Sequence, residues 1–471
     1  MRLTVIGTGY VGAVHAACMA DIGHEVLGVD LDPDRIAALA AGTPPFFEPG
    51  LSETLVRAVD SGRLRFTTSP AEAARFADTH FVCVGTPQHP ETGAADLRHV
   101  EGAVDALAPR LRDSGHERVL VVGKSTVPVG TAAGLAERLR ATVPGAEVAW
   151  NPEFLREGCA VQDTLRPERI VVGTRTGTGT RPCTGTATDT DAPAGTATDT
   201  GAENGTGWPE ARLREIYAPL LEAGTPFIAT DPATAELVKV ASNSFLATKI
   251  SFINAMAEIC EATGADVLTL AEAMGRDSRI GPRFLAPGLG FGGSCLPKDI
   301  RAFATRGEEL GLGGSVAFLR QVDEINTRQR LRTVDLAARL LGGSFAGRSV
   351  AVLGAAFKPG SDDVRDSPAL VVADEIRSRG AQVRVHDPEA IDNARVAYPA
   401  LQFALDVAKA CEQADVVLHL TEWPQYGDLD PAALATVVRS PVLVDARNTL
   451  DPARWRSAGW ALHAPGRPGP V

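Results

Sequence analysis

The sequence predicts an α/β protein: two Rossmann-like doubly wound domains joined by a central helical region with one long helix. Three observations predict it. Residues 1–150 alternate short apolar strands with helical stretches. From Asp231 to Gly264 the pattern changes to one helical run. Strand–helix alternation returns from Ser349 onward. These changes divide the chain at 1–230, 231–342 and 343–471. A length of 471 residues suits two or three cores rather than one.

In the first part the predicted strands are Leu3–Ile6, Glu25–Val29, Leu64–Phe66, His80–Val84, Val119–Val122 and Glu147–Trp150. Their rhythm implies a parallel sheet with helices on both faces. The long helix has Pro232 near its start and Gly264 at its end, both suited to those positions. More helix is expected over Asp266–Met274, Lys298–Leu310 and Ser315–Leu341. The last part reads as Ser349–Leu353, a helix over Pro368–Arg379, then Gln382–Val385, Val416–Leu420 and Val442–Val444. One segment fits none of these. From Gly173 to Gly207 there is no Val, Ile, Leu, Met, Phe, Tyr or Trp, and "GTATDT" occurs at 185–190 and again at 195–200. Such a stretch cannot bury enough apolar area to offset its ordering entropy. Residues 174–207 are therefore expected to be a disordered surface insertion, between a strand ending at Val172 and a helix near Pro209–Leu221. A binding tail is the alternative.

Apolar residues make up 44% and charged residues 22%, as in ordinary globular proteins, and the net charge is −12. That charge argues against a general nucleic-acid binder, so an anionic ligand needs its own Arg and Lys cluster. No apolar run reaches the length of a membrane span, and the first residues lack a signal-peptide layout. The seven cysteines (18, 83, 159, 183, 260, 295 and 411) are scattered, with no CxxC pair and no HExxH. Reduced thiols in the cytoplasm are expected, and no metal site.

"VIGTGYVGAVHAACMADIGHEVLGVD" spaces Gly7, Gly9 and Gly12 as G-x-G-x-x-G, after a strand and before a helix. Asp30 ends the next strand. The glycines let the backbone approach a pyrophosphate at a helix N-terminus, and the carboxylate suits a ribose hydroxyl. Asp30 would repel a 2′-phosphate, which favours NAD over NADP, although Arg35 could itself contact a phosphate. Glycines that serve only helix–strand packing are the plain alternative.

In the long helix, Lys239 and Asn243 stand four residues apart and share a face. Their neighbours are mostly apolar or small, so this face is expected to be covered, not part of a solvated stripe. In "GFGGSCLPKD", Gly290, Gly292 and Gly293 remove side chains ahead of Cys295, and Pro297 suits the first turn of a helix. Cys295 then lies at a helix N-terminus, where the dipole favours thiolate. Asp299 follows four residues later. Most free cysteines are small buried hydrophobes, a description that fits Cys18, Cys83 and Cys260 better than Cys295. A nicotinamide site beside a nucleophilic thiol suggests alcohol oxidation through an aldehyde and a thioester to an acid.

The ordered motifs "GTGYVG" (7–12), "FFEPGL" (46–51), "VGTP" (84–87), "STVPVG" (125–130) and "NPEFLREG" (151–158) resemble those of the nucleotide-sugar dehydrogenases. So do "KVASNSFLATKISFIN" (239–254), "SRIGPRFLAPGLGFGGSCLPKD" (278–299), "FKPGSDDVRDSP" (357–368) and "DARN" (445–448). The resemblance spans nearly the whole chain apart from 174–207 and the C-terminal tail. It implies Cys295 as the thioester-forming nucleophile. Lys239, Asn243 and Asp299 would hold the catalytic water and stabilise the oxyanion. Glu153 and Thr126 would complete the catalytic set, Glu153 as an acid/base. Cofactor contacts would come from Gly7, Gly9, Tyr10, Val11, Gly12, Asp30, Arg35, Thr86, Thr126, Glu157 and Arg365. The sugar nucleotide would meet Glu153, Phe154, Leu155, Lys239, Asn243, Arg279, Phe284, Leu285, Gly290, Phe291, Lys358 and Arg447. Arg279 would reach a neighbouring subunit's site, which implies a homodimer or larger homo-oligomer.

The resemblance points to UDP-glucose as substrate. A GDP-mannose or UDP-N-acetylhexosamine substrate stays open. So do a single-step β-hydroxyacid dehydrogenase, which does not need the cysteine loop, and a sensor that has lost catalysis.

Overall fold

The computed structural model describes residues 1–175 and 207–468. Nearly all of the expected insertion at 174–207, and Cys183 with it, lies outside the described residues. Eight strands form the first sheet: β1 Arg2–Ile6, β2 Glu25–Val29, β3 Leu64–Thr67, β4 Thr79–Val82, β5 Val119–Gly123, β6 Ala146–Trp150, β7 Ile170–Gly173 and β8 Phe227–Thr230. Their order is β3-β2-β1-β4-β5-β6-β7-β8. The order reverses between β1 and β4, which opens a crevice at the carboxyl ends of the strands. The expectation of a parallel sheet needs one correction: β6 and β7 meet antiparallel, through the single pair Trp150 and Gly173.

The second sheet contains β9 Ser349–Leu353, β10 Gln382–His386, β11 Gln402–Phe403, β12 Val416–His419, β13 Val442–Asp445 and β14 Ala461–His463. Its order, β11-β10-β9-β12-β13-β14, is parallel throughout. This is the doubly wound arrangement again. β8, β11 and β14 are short edge-proximal strands of two to four residues, too brief to show a period in the sequence.

Between the sheets runs the long helix Pro232–Thr263. Asp231 caps it by accepting from the Thr234 amide, and Gly264 ends it in the left-handed region. The helices Leu296–Glu309 and Gly313–Leu340 pack against it. The helix expected near Pro209–Leu221 is two, Trp208–Ile216 and Ala218–Glu222. Pro219 cannot continue the first but suits the first turn of the second. Each sheet has its own apolar core, with smaller clusters between the central helices. Among the described residues no helix is long and apolar enough to cross a membrane.

Candidate active site

The carboxyl ends of β1, β4, β5 and β6 carry the loops that face the central helices. After β1, Gly12 is packed so closely that a Cβ there would lie 1.8 Å from the Gly7 carbonyl oxygen. A Cβ at Gly9 would meet nothing within 4 Å. Gly12 therefore seats the helix Tyr10–Asp21, while Gly9 leaves open space for a phosphate at its N-terminus. Asp30, at the end of β2, accepts from the Thr8 amide at 2.8 Å. Arg35 meets both of its oxygens at 3.1 Å. Burial alone would raise the Asp30 carboxyl. The Thr8 and Asp32 amides and the Arg35 guanidinium outweigh burial and hold it below the usual range.

After β5 comes the loop bearing Thr126, whose carbonyl accepts from the Thr86 hydroxyl at 2.8 Å. After β6 comes the loop bearing Glu153, Phe154, Leu155 and Glu157. Glu48 anchors that loop by accepting from the amides of Gly158 and Ala160, both at 2.6 Å, and from the Tyr10 hydroxyl. A carboxylate with three donors tolerates its burial.

The long helix Pro232–Thr263 and the helix Leu296–Glu309 meet these loops. Lys239 and Glu153 form an ion pair at 2.9 Å, with side chains only 5% and 8% exposed. One turn further along the long helix, the Asn243 amide donates to Asp299 at 2.7 Å. Asp299 also receives Lys298, at 2.7 Å. Cys295 is the N-cap of Leu296–Glu309, as expected, and its neighbours include Glu153, Lys239 and Asp299. The chain thus brings together five sequence-predicted residues from two loops and two helices.

The charge on sulfur differs from expectation. Burial first, and then the Glu153 carboxylate, raise the Cys295 thiol above its ordinary value. Lys239 and a contact with the Ser294 hydroxyl only partly oppose this. The helix N-terminus does not prevail, because desolvation penalises a thiolate more strongly. Lys239 is raised too, but against burial rather than by it. Burial would strip its proton, but Glu153, Cys295 and Asp299 hold it above the ordinary lysine range. Glu157 receives the Ser294 hydroxyl at 3.0 Å and the Ser361 hydroxyl at 3.3 Å. Burial, then Asp363, push its carboxyl up to about 7, against Arg365, Ser294 and Lys358.

The glycine loop ahead of Cys295 is clamped from below. Asn326, fully buried, accepts from the Phe291 amide at 2.8 Å and donates to its carbonyl at 3.0 Å. A Cβ at Gly290 would lie 2.3 Å from the Asn326 amide oxygen, and its φ is +94°. Glycine is required there on both counts. Arg447, which meets the Leu420 carbonyl at 2.6 Å and Glu422 at 3.1 Å on its own side, reaches across from the second sheet to the Gly290 carbonyl at 3.1 Å. Lys358 and Arg365 approach Glu157 from the same side.

Three of the expected contacts do not gather at this point. Arg279 is 87% exposed and is paired with Asp277. Leu285 and Phe291 are buried in apolar clusters of the central helices, so their side chains belong to the core. Phe284 is half-buried, with a φ of +65°. Phe154 lies under the Arg169 guanidinium, 4.0 Å from its ring centre. Val11 packs against the first core.

Sequence reasoning missed Lys298, Glu48 and Asn326. Lys298 stood beside Asp299 in the quoted motif, where its charge was a usable signal. Glu48 bonds across 110 residues and Asn326 across 35, and no spacing rule reaches that far.

Comparison with known proteins matches three consecutive stretches of the chain. Residues 1–182 match the NAD binding domain of the UDP-glucose/GDP-mannose dehydrogenase family, 233–328 its central domain, and 351–452 its UDP binding domain. The chain belongs to the UDP-glucose/GDP-mannose dehydrogenase family. It is an NAD-dependent oxidoreductase of that family. A UDP-glucose 6-dehydrogenase of Pseudomonas aeruginosa is 39% identical, over 99% of this chain and 98% of that protein. One from Rhizobium meliloti is 38% identical, over 99% and 100%. The structure of a UDP-glucose dehydrogenase from the archaeon Pyrobaculum islandicum superposes with a TM-score of 0.83 at 40% identity, covering 98% of each chain. In this dehydrogenase the open face of Gly9, the turn around it and Asp30 fit the cofactor that the family uses.

Proposed function

We propose that this dehydrogenase oxidises UDP-glucose to UDP-glucuronate in two steps at one site, with Cys295 as the covalent nucleophile. The observation that carries the reading is the convergence of Cys295 with the Lys239–Glu153 pair and the Asn243–Asp299 pair. Relatives named for UDP-glucose, at 39% and 38% identity over the whole chain, support the choice of sugar.

The Gly7–Gly12 turn, Tyr10, Asp30, Arg35, Thr86, Thr126, Glu157 and Arg365 hold the dinucleotide. When bound, NAD supplies the hydride acceptor for both oxidations. Lys358 and Arg447 hold the diphosphate, with Phe154, Leu155, Phe284 and Gly290 around the nucleotide sugar. Lys239 and Asn243 donate to the 6-oxygen of glucose, and Glu153 receives its proton as the alcohol becomes an aldehyde. The Cys295 sulfur then bonds to the aldehyde carbon as its own proton leaves to the neighbouring carboxylates. Loss of a second hydride from that carbon makes a thioester. Water held by Asp299, Asn243 and Thr126 breaks the carbon–sulfur bond and restores the thiol. Over the cycle one alcohol and one water become one carboxylate, and two hydrides and three protons leave. Burial and Glu153 favour the thiol over the thiolate, so the sulfur has to give up its proton as it bonds to the aldehyde carbon.

The proposed division of labour follows the chain: 1–230 for NAD, 231–342 for catalysis and assembly, 343–471 for the UDP-sugar. We also propose a homodimer built on the long helix. Phe245, Phe252 and Ile259 are 67%, 43% and 53% exposed, seven residues apart on one face. Arg279, highly exposed and paired among the described residues with Asp277 alone, would serve the neighbour's site. The six cysteines among the described residues are all unpaired, which suits the cytoplasm.

The test counts NADH formed per sugar nucleotide consumed. UDP-glucose should give two, with UDP-glucuronate as product. Cys295→Ala should form no acid. One NADH per sugar would indicate a simple dehydrogenase. Faster turnover of GDP-mannose or a UDP-N-acetylhexosamine would move the substrate assignment.

A further inference from the structure

The helix Thr131–Thr142 begins directly behind the Thr126 loop, and its N-cap is Gly130, which has no side chain to cap it. Glu236 supplies the cap from a distance. It lies one turn before Lys239 on the long helix and is 2% exposed. Its two carboxylate oxygens accept from the Gly130 amide at 2.7 Å and the Ala132 amide at 2.6 Å. Burial raises its carboxyl, against the pull of those amides and of Arg306. A buried carboxylate is costly to keep unless its bonds do something.

A second tether reaches the same loop. Arg306, on the helix that begins at Cys295, donates to the Val129 carbonyl at 3.3 Å. Val127 packs into the core of the first sheet, but the rest of the loop is packed loosely on the side of the helix Leu296–Glu309. An apolar cavity of about 380 Å³ lies against it, lined by Val127, Pro128, Val129, Val240, Phe303 and Val316. Thr86 holds the near end of the loop at the Thr126 carbonyl, 2.8 Å away, and hydrogen bonds to the two helices that carry Lys239 and Cys295 hold its far end at Val129, Gly130 and Ala132.

We infer that Glu236 is a positioning residue, which sets Thr126 against Lys239, Asn243 and Asp299 by holding the start of the helix behind it. The inference rests on the catalytic reading given above. Removing both bonds frees the loop to relax toward the cavity, and a displacement of about 1 Å at a reacting centre can cost 10²-fold in rate. Contacts to the nucleotide sugar lie on other loops and should be unaffected.

The test compares Glu236→Gln and Glu236→Ala with the wild type in the full-length protein. Glutamine keeps one acceptor and alanine none. The expected result is a kcat lowered about tenfold in the first and about a hundredfold in the second. KM for UDP-glucose should stay within about threefold. Hydrogen exchange at the Gly130 and Ala132 amides should speed up in the same order. Normal kcat per folded molecule, with those amides already exchanging faster, would overturn the inference. So would a loss that appears in KM alone. If the Glu236 variants do not fold, Arg306→Met removes the second tether from a more exposed position and should also lower kcat with KM unchanged; unchanged kcat there would likewise count against the inference. The exchange measurement needs no turnover. A wild type inactive on UDP-glucose would therefore sink the functional reading while leaving the capping bonds measurable.

Discussion

Replacing Lys239 with methionine separates the folding role of the Lys239–Glu153 pair from its chemical role. The two charges lie 2.9 Å apart, with side chains 5% and 8% exposed. Breaking such a pair by deleting one partner leaves a buried charge uncompensated, at a cost of about 3–5 kcal/mol. Domains of ordinary stability have about 5–15 kcal/mol in total. The single variant should therefore unfold at a clearly lower urea concentration at pH 7. The double variant Lys239→Met, Glu153→Gln removes both charges, and the glutamine oxygen can still accept from the Leu155 amide that Glu153 now receives at 2.6 Å. It should recover most of the lost stability, within about 1 kcal/mol of wild type. Turnover should recover in neither, since both lack the ammonium proposed to steady the oxyanion. Urea titrations followed by circular dichroism, with NADH production on the folded fraction, make the comparison. A double variant no more stable than the single one would refute the assignment of the cost to an unpaired Glu153. A double variant with normal turnover would refute the role given to Lys239.

Three further outcomes are expected. Glu157, pushed up to about 7 in the fold, binds its proton more tightly there than in the unfolded chain. Its contribution is thus fully present below the unfolded carboxyl value of about 4.3 and is lost as pH rises to about 7. Glu157→Gln should flatten the stability profile across that window and leave the protein more stable than wild type at pH 8; unchanged pH dependence would count against this. Asp30→Ala removes the nearer of the two carboxylates that Arg35 meets, leaving Asp32 at 3.5 Å, so the ratio of kcat/KM for NAD over NADP should narrow by at least about tenfold, read from steady-state kinetics with both cofactors. Phe245→Asp with Phe252→Asp puts charge on the exposed stripe of the long helix, and sedimentation should show a dimer for the wild type and a monomer for the variant.

Local signals were legible in the sequence. Gly7, Gly9, Gly12 and Asp30 fall within one strand–turn–helix–strand unit, so spacing alone places them. Lys239 and Asn243 share a face because the helical repeat puts them there, and Pro297 marks a helix start that leaves Cys295 as its cap. What spacing does not carry is the environment. The thiol was expected to be acidic from its place at a helix N-terminus. The structure raises it instead, since burial and Glu153 act through space from a loop 142 positions earlier in the chain. Glu48, Glu236 and Asn326 were invisible for the same reason: their partners are 110, 106 and 35 residues away. Leu285 and Phe291 lie inside a motif whose neighbours line the site, and only packing reveals that their side chains belong to the core.

The three-way grip of Glu48 limits how this enzyme can be re-engineered. One carboxylate holds the Tyr10 hydroxyl in the dinucleotide turn and two amides in the loop that follows Glu153. A turn transplanted from another dehydrogenase, with an aliphatic residue at position 10, would leave that carboxylate short of a donor in a buried place. The loop bearing Glu153 and Glu157 would feel the exchange, though no residue in it had been altered. Cofactor preference is better redesigned beyond Asp30, at the outer end of β2, than within the turn itself. Whatever is grafted at Gly7–Gly12 has to bring a hydroxyl that reaches Glu48.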